Sequence, residues 1–132
     1  MKTSLRSCLL WLCLPLLAHA AELRIDLGQG AKTWSTAQLL ARADATTVTI
    51  PDDVAFHRPM RYRAVPLLAV LPGLRADQHL QFVAADGFTA EIPAAAILDR
   101  RGSQAWLAVE DPAQPWPAMA GNAKSAGPFY VV

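Results

Sequence analysis

Leu80-Gln81-Phe82-Val83-Ala84-Ala85-Asp86-Gly87-Phe88-Thr89-Ala90-Glu91-Ile92 decides the fold class. Leu80, Phe82 and Ala84 share one face of an extended segment. Phe88, Ala90 and Ile92 share the corresponding face of a second. Asp86-Gly87 lies between them, and Asp-Gly flanked by alternating apolar residues predicts a β-hairpin with a two-residue turn. An antiparallel pair is therefore the local unit, and the elements around it are read against that.

Downstream, Pro93 opens a short helical turn over 94–98, and Ala105 to Val109 reads as a strand closed by Asp111-Pro112. Upstream, Pro66 suits the first position of a helix whose apolar face is Leu67, Leu68, Val70 and Leu71, stopped by Pro72-Gly73. Met60, Tyr62 and Ala64 alternate with Arg61, Arg63 and Val65, which predicts a strand. Thr46-Thr47-Val48-Thr49-Ile50 is β-branched throughout and predicts another, with Pro51-Asp52-Asp53 as a turn. Ser35-Thr36-Ala37-Gln38 has capping-box spacing and predicts a short helix through Leu39, Leu40 and Arg42. Leu23 to Leu27 alternates and reads as a first strand, stopped by Gly28-Gln29-Gly30. The expected class is α+β, with mainly antiparallel pairing, six or seven strands and about three short helices.

The first 20 residues read differently. Lys2 and Arg6 precede an apolar run from Cys8 to Ala18, and Ala18-His19-Ala20 is a small-x-small box. This is the pattern of a secretory signal peptide, and the run is too short for a membrane anchor. Residues 1–20 are expected to be removed, leaving 21–132 as one small α+β domain, periplasmic or secreted. Both cysteines, Cys8 and Cys13, fall in the leader. The exported part then has no thiol, so a disulfide, a thiolate metal site and a Cys nucleophile are excluded there. Removing Lys2 and Arg6 turns the formal charge of +1 into −1, which argues against nucleic-acid binding. The chain stops inside an apolar strand, Phe129-Tyr130-Val131-Val132, which leaves open a natural polypeptide that continues.

Catalytic options are few. His57 and His79 have no second ligand at helical or hairpin spacing, so no metal site is expected. Ser35, Ser103 and Ser125 lack a nucleophile-elbow context. Asp52/Asp53 and Glu110/Asp111 are adjacent acids in Pro-flanked turns, and turn chemistry accounts for them better than glycosidase-type pairing. The one concentrated basic patch is Arg58, Arg61 and Arg63. In a strand, Arg61 and Arg63 point to one face and could clamp a phosphate, sulfate or carboxylate. The competing explanation is an edge strand blunted by positive charge. Trp116, between Pro115 and Pro117, reads either as a cover on the domain or as part of a partner surface.

Tyr62-Arg63-Ala64-Val65-Pro66-Leu67-Leu68-Ala69-Val70-Leu71, then 80–85, Asp86-Gly87-Phe88, Ile92-Pro93 and 105–110, occur in an order that resembles the molybdopterin-binding oxidoreductase domain, the sulfite-oxidase fold. The resemblance covers about residues 55 to 132 and extends loosely to Gly127-Pro128-Phe129-Tyr130-Val131-Val132. It is closest to a short exported branch associated with c-type cytochromes. Catalytic members of the family bind molybdenum through a cysteine thiolate, which residues 21–132 do not contain, and Ala64 stands where the family carries glycine. The resemblance therefore implies an exported accessory or non-catalytic domain with no cofactor, working with a periplasmic c-type cytochrome or other redox protein. Two alternatives stand beside it: a genuine molybdopterin-binding subunit, and a periplasmic binder of a small anion. Arg58, Arg61, Arg63 and Trp116 are the candidate anion or partner contacts.

Overall fold

The structure, a computed structural model, describes residues 21–85 and 87–132. The expected signal peptide, with Cys8 and Cys13, and Asp86 of the hairpin turn lie outside the described residues. Among the described residues, eight strands, two short α-helices and one 3-10 helix follow in the order β1 (Glu22–Asp26), β2 (Ala31–Ser35), α1 (Thr36–Leu40), β3 (Thr46–Asp53), β4 (Arg58–Pro66), the 3-10 helix (Leu67–Val70), β5 (His79–Val83), β6 (Thr89–Pro93), α2 (Ala94–Leu98), β7 (Trp106–Val109) and β8 (Phe129–Val131). The architecture is α+β, and every strand pair is antiparallel.

Two hairpins, β1–β2 and β5–β6, flank a four-stranded sheet in the order β3-β4-β7-β8. That central sheet carries apolar side chains on both faces. Val65, Leu107, Val109, Phe129 and Val131 share one face, where they pack with Leu39 of α1, with Leu67, Val70 and Leu71, and with Leu23, Ile25, Leu80 and Phe82 of the hairpins. Met60, Tyr62, Ala108 and Tyr130 share the other face, covered by Phe56 and by Trp116, Met119 and Ala126 of the 111–126 loop. Alternation along each strand assigns the two faces, since opposite rungs such as Val65↔Leu107 and Leu107↔Val131 point the same way.

Local signals in the sequence explain most of the boundaries. The Ser35 hydroxyl accepts from the Gln38 N–H at 3.1 Å, and the Gln38 side chain accepts from the Ser35 N–H at 2.9 Å. This reciprocal pair starts α1 at the expected place and is worth about 1 kcal/mol. Pro66 leads into the predicted helix, but only one 3-10 turn forms before Pro72-Gly73. Pro93 opens α2 as expected.

Five expectations need correction. β2 has no counterpart among the predicted strands; Ala31–Ser35 pairs with β1 in full register. Pro51-Asp52-Asp53 is not a free turn but the bulged end of β3, with Asp53 opposite Arg58. The β5–β6 turn is longer than two residues: Gly87 N–H bonds the Ala84 carbonyl, and Ala84 N–H bonds the Phe88 carbonyl. Three residues therefore lie inside the closing pair, and Gly87 takes φ +88°, as in a loop closed by a glycine bulge. Ala84 and Phe88, expected on the buried face, are exposed. Finally, β4 is not an edge strand. It is interior, bounded by β3 and β7.

Candidate functional site

β4 and β7 pair only over Ala64↔Ala108, Val65↔Leu107 and Pro66↔Trp106. Beyond Ala64 the two strands part, because the chain after Val109 turns at Asp111-Pro112. The Gln114 N–H closes that turn on the Asp111 carbonyl at 2.8 Å, and the Asp111 carboxylate accepts from the Ala113 N–H at 2.9 Å. The separation leaves a cleft of about 280 Å³ lined by Thr47, Arg61, Tyr62, Arg63, Val109, Asp111, Gln114 and Trp116. Arg61, Arg63 and Trp116, picked out separately in the sequence, therefore meet at one place. Arg58, opposite Asp53 at the far end of β4, does not line it.

Trp116 is both a cover and a wall. Its ring meets Tyr62 edge-on at 5.0 Å between centroids. Its backbone N–H donates to the Glu110 carboxylate at 2.6 Å. Glu110 N–H in turn bonds the Pro128 carbonyl. The loop is thus tied to the sheet from below, and the cleft wall is held in place by the protein itself.

Under Tyr62 lies a buried carboxylate. Asp53 is 1% exposed and accepts from the Ala55 N–H at 2.9 Å, the Phe56 N–H at 3.2 Å and the Tyr62 hydroxyl at 2.7 Å. The Tyr130 hydroxyl makes a longer fourth contact at 3.5 Å. A buried carboxylate is tolerated only when its lone pairs are filled in this way. Burial, reinforced by the hydrogen bond to Asp53, pushes the Tyr62 hydroxyl above the ordinary tyrosine range. Burial and the Asp53 charge do the same to Tyr130. The network holds the turn in which His57, exposed, adopts φ +50°. Sequence reading took Asp52-Asp53 as turn acids and missed this role.

The remaining candidates have local duties. Ser35 caps α1, and Ser125 accepts from the Gly127 N–H at 3.1 Å. His79 and Glu91 form an exposed pair at 3.2 Å, a geometry that contributes little in water. Among the described residues no three His, Cys, Asp or Glu side chains gather as a metal site. Residues 21–132 contain no cysteine, so this donor set does not fit the thiolate ligation of molybdenum found in molybdopterin-binding oxidoreductases. No helix among the described residues is long and apolar enough to cross a membrane. No family model, curated protein or solved structure matches the chain.

Proposed function

We propose that residues 21–132 form an exported, non-catalytic binding module, a reduced form of the sulfite-oxidase-like fold. Its working surface is the cleft of Arg61, Arg63 and Trp116. The observation that carries this reading is one cleft beside β4 whose lining includes Arg61, Arg63, Thr47, Gln114 and Trp116. Planar guanidiniums suit the two oxygens of a carboxylate, sulfate or phosphate, and the indole offers a surface for an attached apolar group. Asp111 offsets one of the two positive charges, and its Oδ1 is engaged in its own turn.

The setting comes from the resemblance: an exported chain beside a periplasmic redox protein such as a c-type cytochrome. The motifs that carry the resemblance fall at junctions between elements. Val65-Pro66-Leu67 is the passage from β4 to the 3-10 helix, and Ile92-Pro93 is the passage from β6 to α2.

Binding of a c-type cytochrome and of inorganic phosphate and sulfate, measured by calorimetry at rising ionic strength, tests the proposal. Arg61→Glu with Arg63→Glu should abolish a salt-sensitive interaction while leaving the melting temperature close to that of the parent. Unchanged binding in that variant would remove the cleft from the account. Near-stoichiometric molybdenum in protein from a cofactor-producing host would instead favour a pterin-binding subunit.

A further inference from the structure

We propose that the open edge of β3, over Thr46 to Ile50, receives an extended acidic segment of a partner protein as a fifth strand of the central sheet. This surface adjoins the recess beside β4 and shares Thr47, Arg61 and Arg63 with it, but its backbone contacts are made at the outer edge of β3 and do not involve Trp116.

The direction of the backbone groups follows from the ladder. Leu67 N–H bonds the Ala105 carbonyl at 3.1 Å, across the β4–β7 boundary. Backbone groups alternate sides along a strand, so residues 61, 63 and 65 direct theirs toward β7, and 60, 62 and 64 toward β3. In the β3–β4 register, Met60 faces Ile50, Tyr62 faces Val48 and Ala64 faces Thr46. Ile50, Val48 and Thr46 therefore bond inward. Thr47 and Thr49 turn their N–H and C=O groups away from the sheet, and both residues are exposed.

Sheet edges are usually blunted by charge, proline, bulges or short length. β8, the opposite edge, has only three residues. In β3 the bulge after Ile50 and Pro51 close off one end, but Thr46-Thr47-Val48-Thr49-Ile50 carries no charge and no proline. Five β-favouring residues, two of which (Thr47 and Thr49) turn their donors and acceptors outward, form a template for strand addition.

Charge selects the occupant. Arg63 lies opposite Thr47 and Arg61 opposite Thr49, so both arginines share the face of those threonines. Both are exposed, and among the described residues neither forms an ion pair. A strand added to β3 lies about 10 Å from β4, two strand spacings away. An extended arginine and a glutamate together span that gap. Glutamates at alternate positions of the added strand would face Arg61 and Arg63. Antiparallel pairing of two copies of this chain would set the Arg61-Arg63 pair of each copy on the same face as that of the other.

Amide hydrogen exchange on the purified exported protein tests this. The probe is a capped heptapeptide alternating glutamate with valine, and its control replaces glutamate with lysine. At saturation the acidic peptide should slow exchange at Thr47 and Thr49 by about tenfold, the scale of one backbone hydrogen bond, and leave Val48 unchanged. Its affinity should fall with salt and with R61E and R63E together. Thr49→Pro removes an outward donor without touching the β3–β4 ladder and should abolish the protection, whereas Trp116→Ala should not. Lack of protection, equal protection by the lysine peptide, or protection that rises with protein concentration alone would overturn the proposal. The last result would indicate self-pairing. Loss of cleft binding in Trp116→Ala with edge protection intact separates the two sites.

Discussion

The Tyr62 hydroxyl donates to the Asp53 carboxylate at 2.7 Å and so ties the middle of the central sheet to the turn between β3 and β4. Both side chains are almost fully buried. The contact also fixes the ring against which Trp116 packs, and through Trp116 it sets one wall of the cleft.

Removing one partner should therefore cost more than an ordinary hydrogen bond. Asp53→Ala strands two backbone N–H groups and a buried hydroxyl, and should destabilise by about 3–5 kcal/mol. Tyr62→Phe leaves the carboxylate short of its closest donor and should cost about 1.5–3 kcal/mol. Urea denaturation of the two variants checks both values. A loss below about 0.5 kcal/mol in Tyr62→Phe would mean that the contact is not made in solution.

Much of this fold can be read from sequence where the cause is local. Ser35 and Gln38 are three residues apart and satisfy each other, so α1 starts where the capping box says. Arg61 and Arg63 share a face because strands repeat every two residues. Whether β4 is an edge or an interior strand depends on β7, more than 40 residues later, and alternation alone does not reveal it. The role of Asp53 was hidden for the same reason. Its donors include Tyr62 and Tyr130, and Tyr130 is 77 residues away. Trp116 sits in a proline-flanked loop with no periodicity, so its ring partner is visible only in three dimensions.

The tyrosines give the protein an alkaline limit. Tyr62 and Tyr130 both titrate above the ordinary tyrosine value in the folded state, chiefly because burial disfavours the phenolate. The unfolded chain ionises these groups first, at about pH 10. Their stabilising contribution is complete below that pH and is lost as pH rises toward the folded-state values. Thermal melts from pH 8 to pH 11.5 should show a falling midpoint above about pH 10. Tyr62→Phe, though less stable throughout, should show a shallower fall. An equally steep fall in that variant would assign the alkaline limit to other groups.

Gly87 tests the hairpin turn. Its φ of +88° lies where side-chain-bearing residues are strained, and a Cβ there would meet nothing within 4 Å. The cost of substitution is thus conformational rather than steric. Gly87→Val should lose about 1–3 kcal/mol, and Gly87→Asn distinctly less, because asparagine tolerates the left-handed region. Equal losses for the two would point to a cause other than backbone strain.

Gly127 makes the opposite case. Its backbone carries no positive-φ strain, but a Cβ built there would run into the Glu110 carboxylate. That carboxylate accepts the Trp116 N–H, and Glu110 N–H is bonded to the Pro128 carbonyl, so the side chain cannot swing aside without releasing the loop. Gly127→Ala should therefore displace Glu110, cost about 1–3 kcal/mol through the orphaned N–H and local overpacking, and free the indole from Tyr62. Tryptophan emission should shift to the red and become more accessible to acrylamide. Glu110→Ala should free the indole in the same way by removing the acceptor, whereas Glu110→Gln keeps an acceptor oxygen and should leave emission near the parent's. Combining Gly127→Ala with Glu110→Ala then separates the two effects. With the carboxylate gone the added methyl has room, so the double variant should be no less stable than Glu110→Ala alone. An additive loss would show that the Gly127 position is constrained by something other than Glu110.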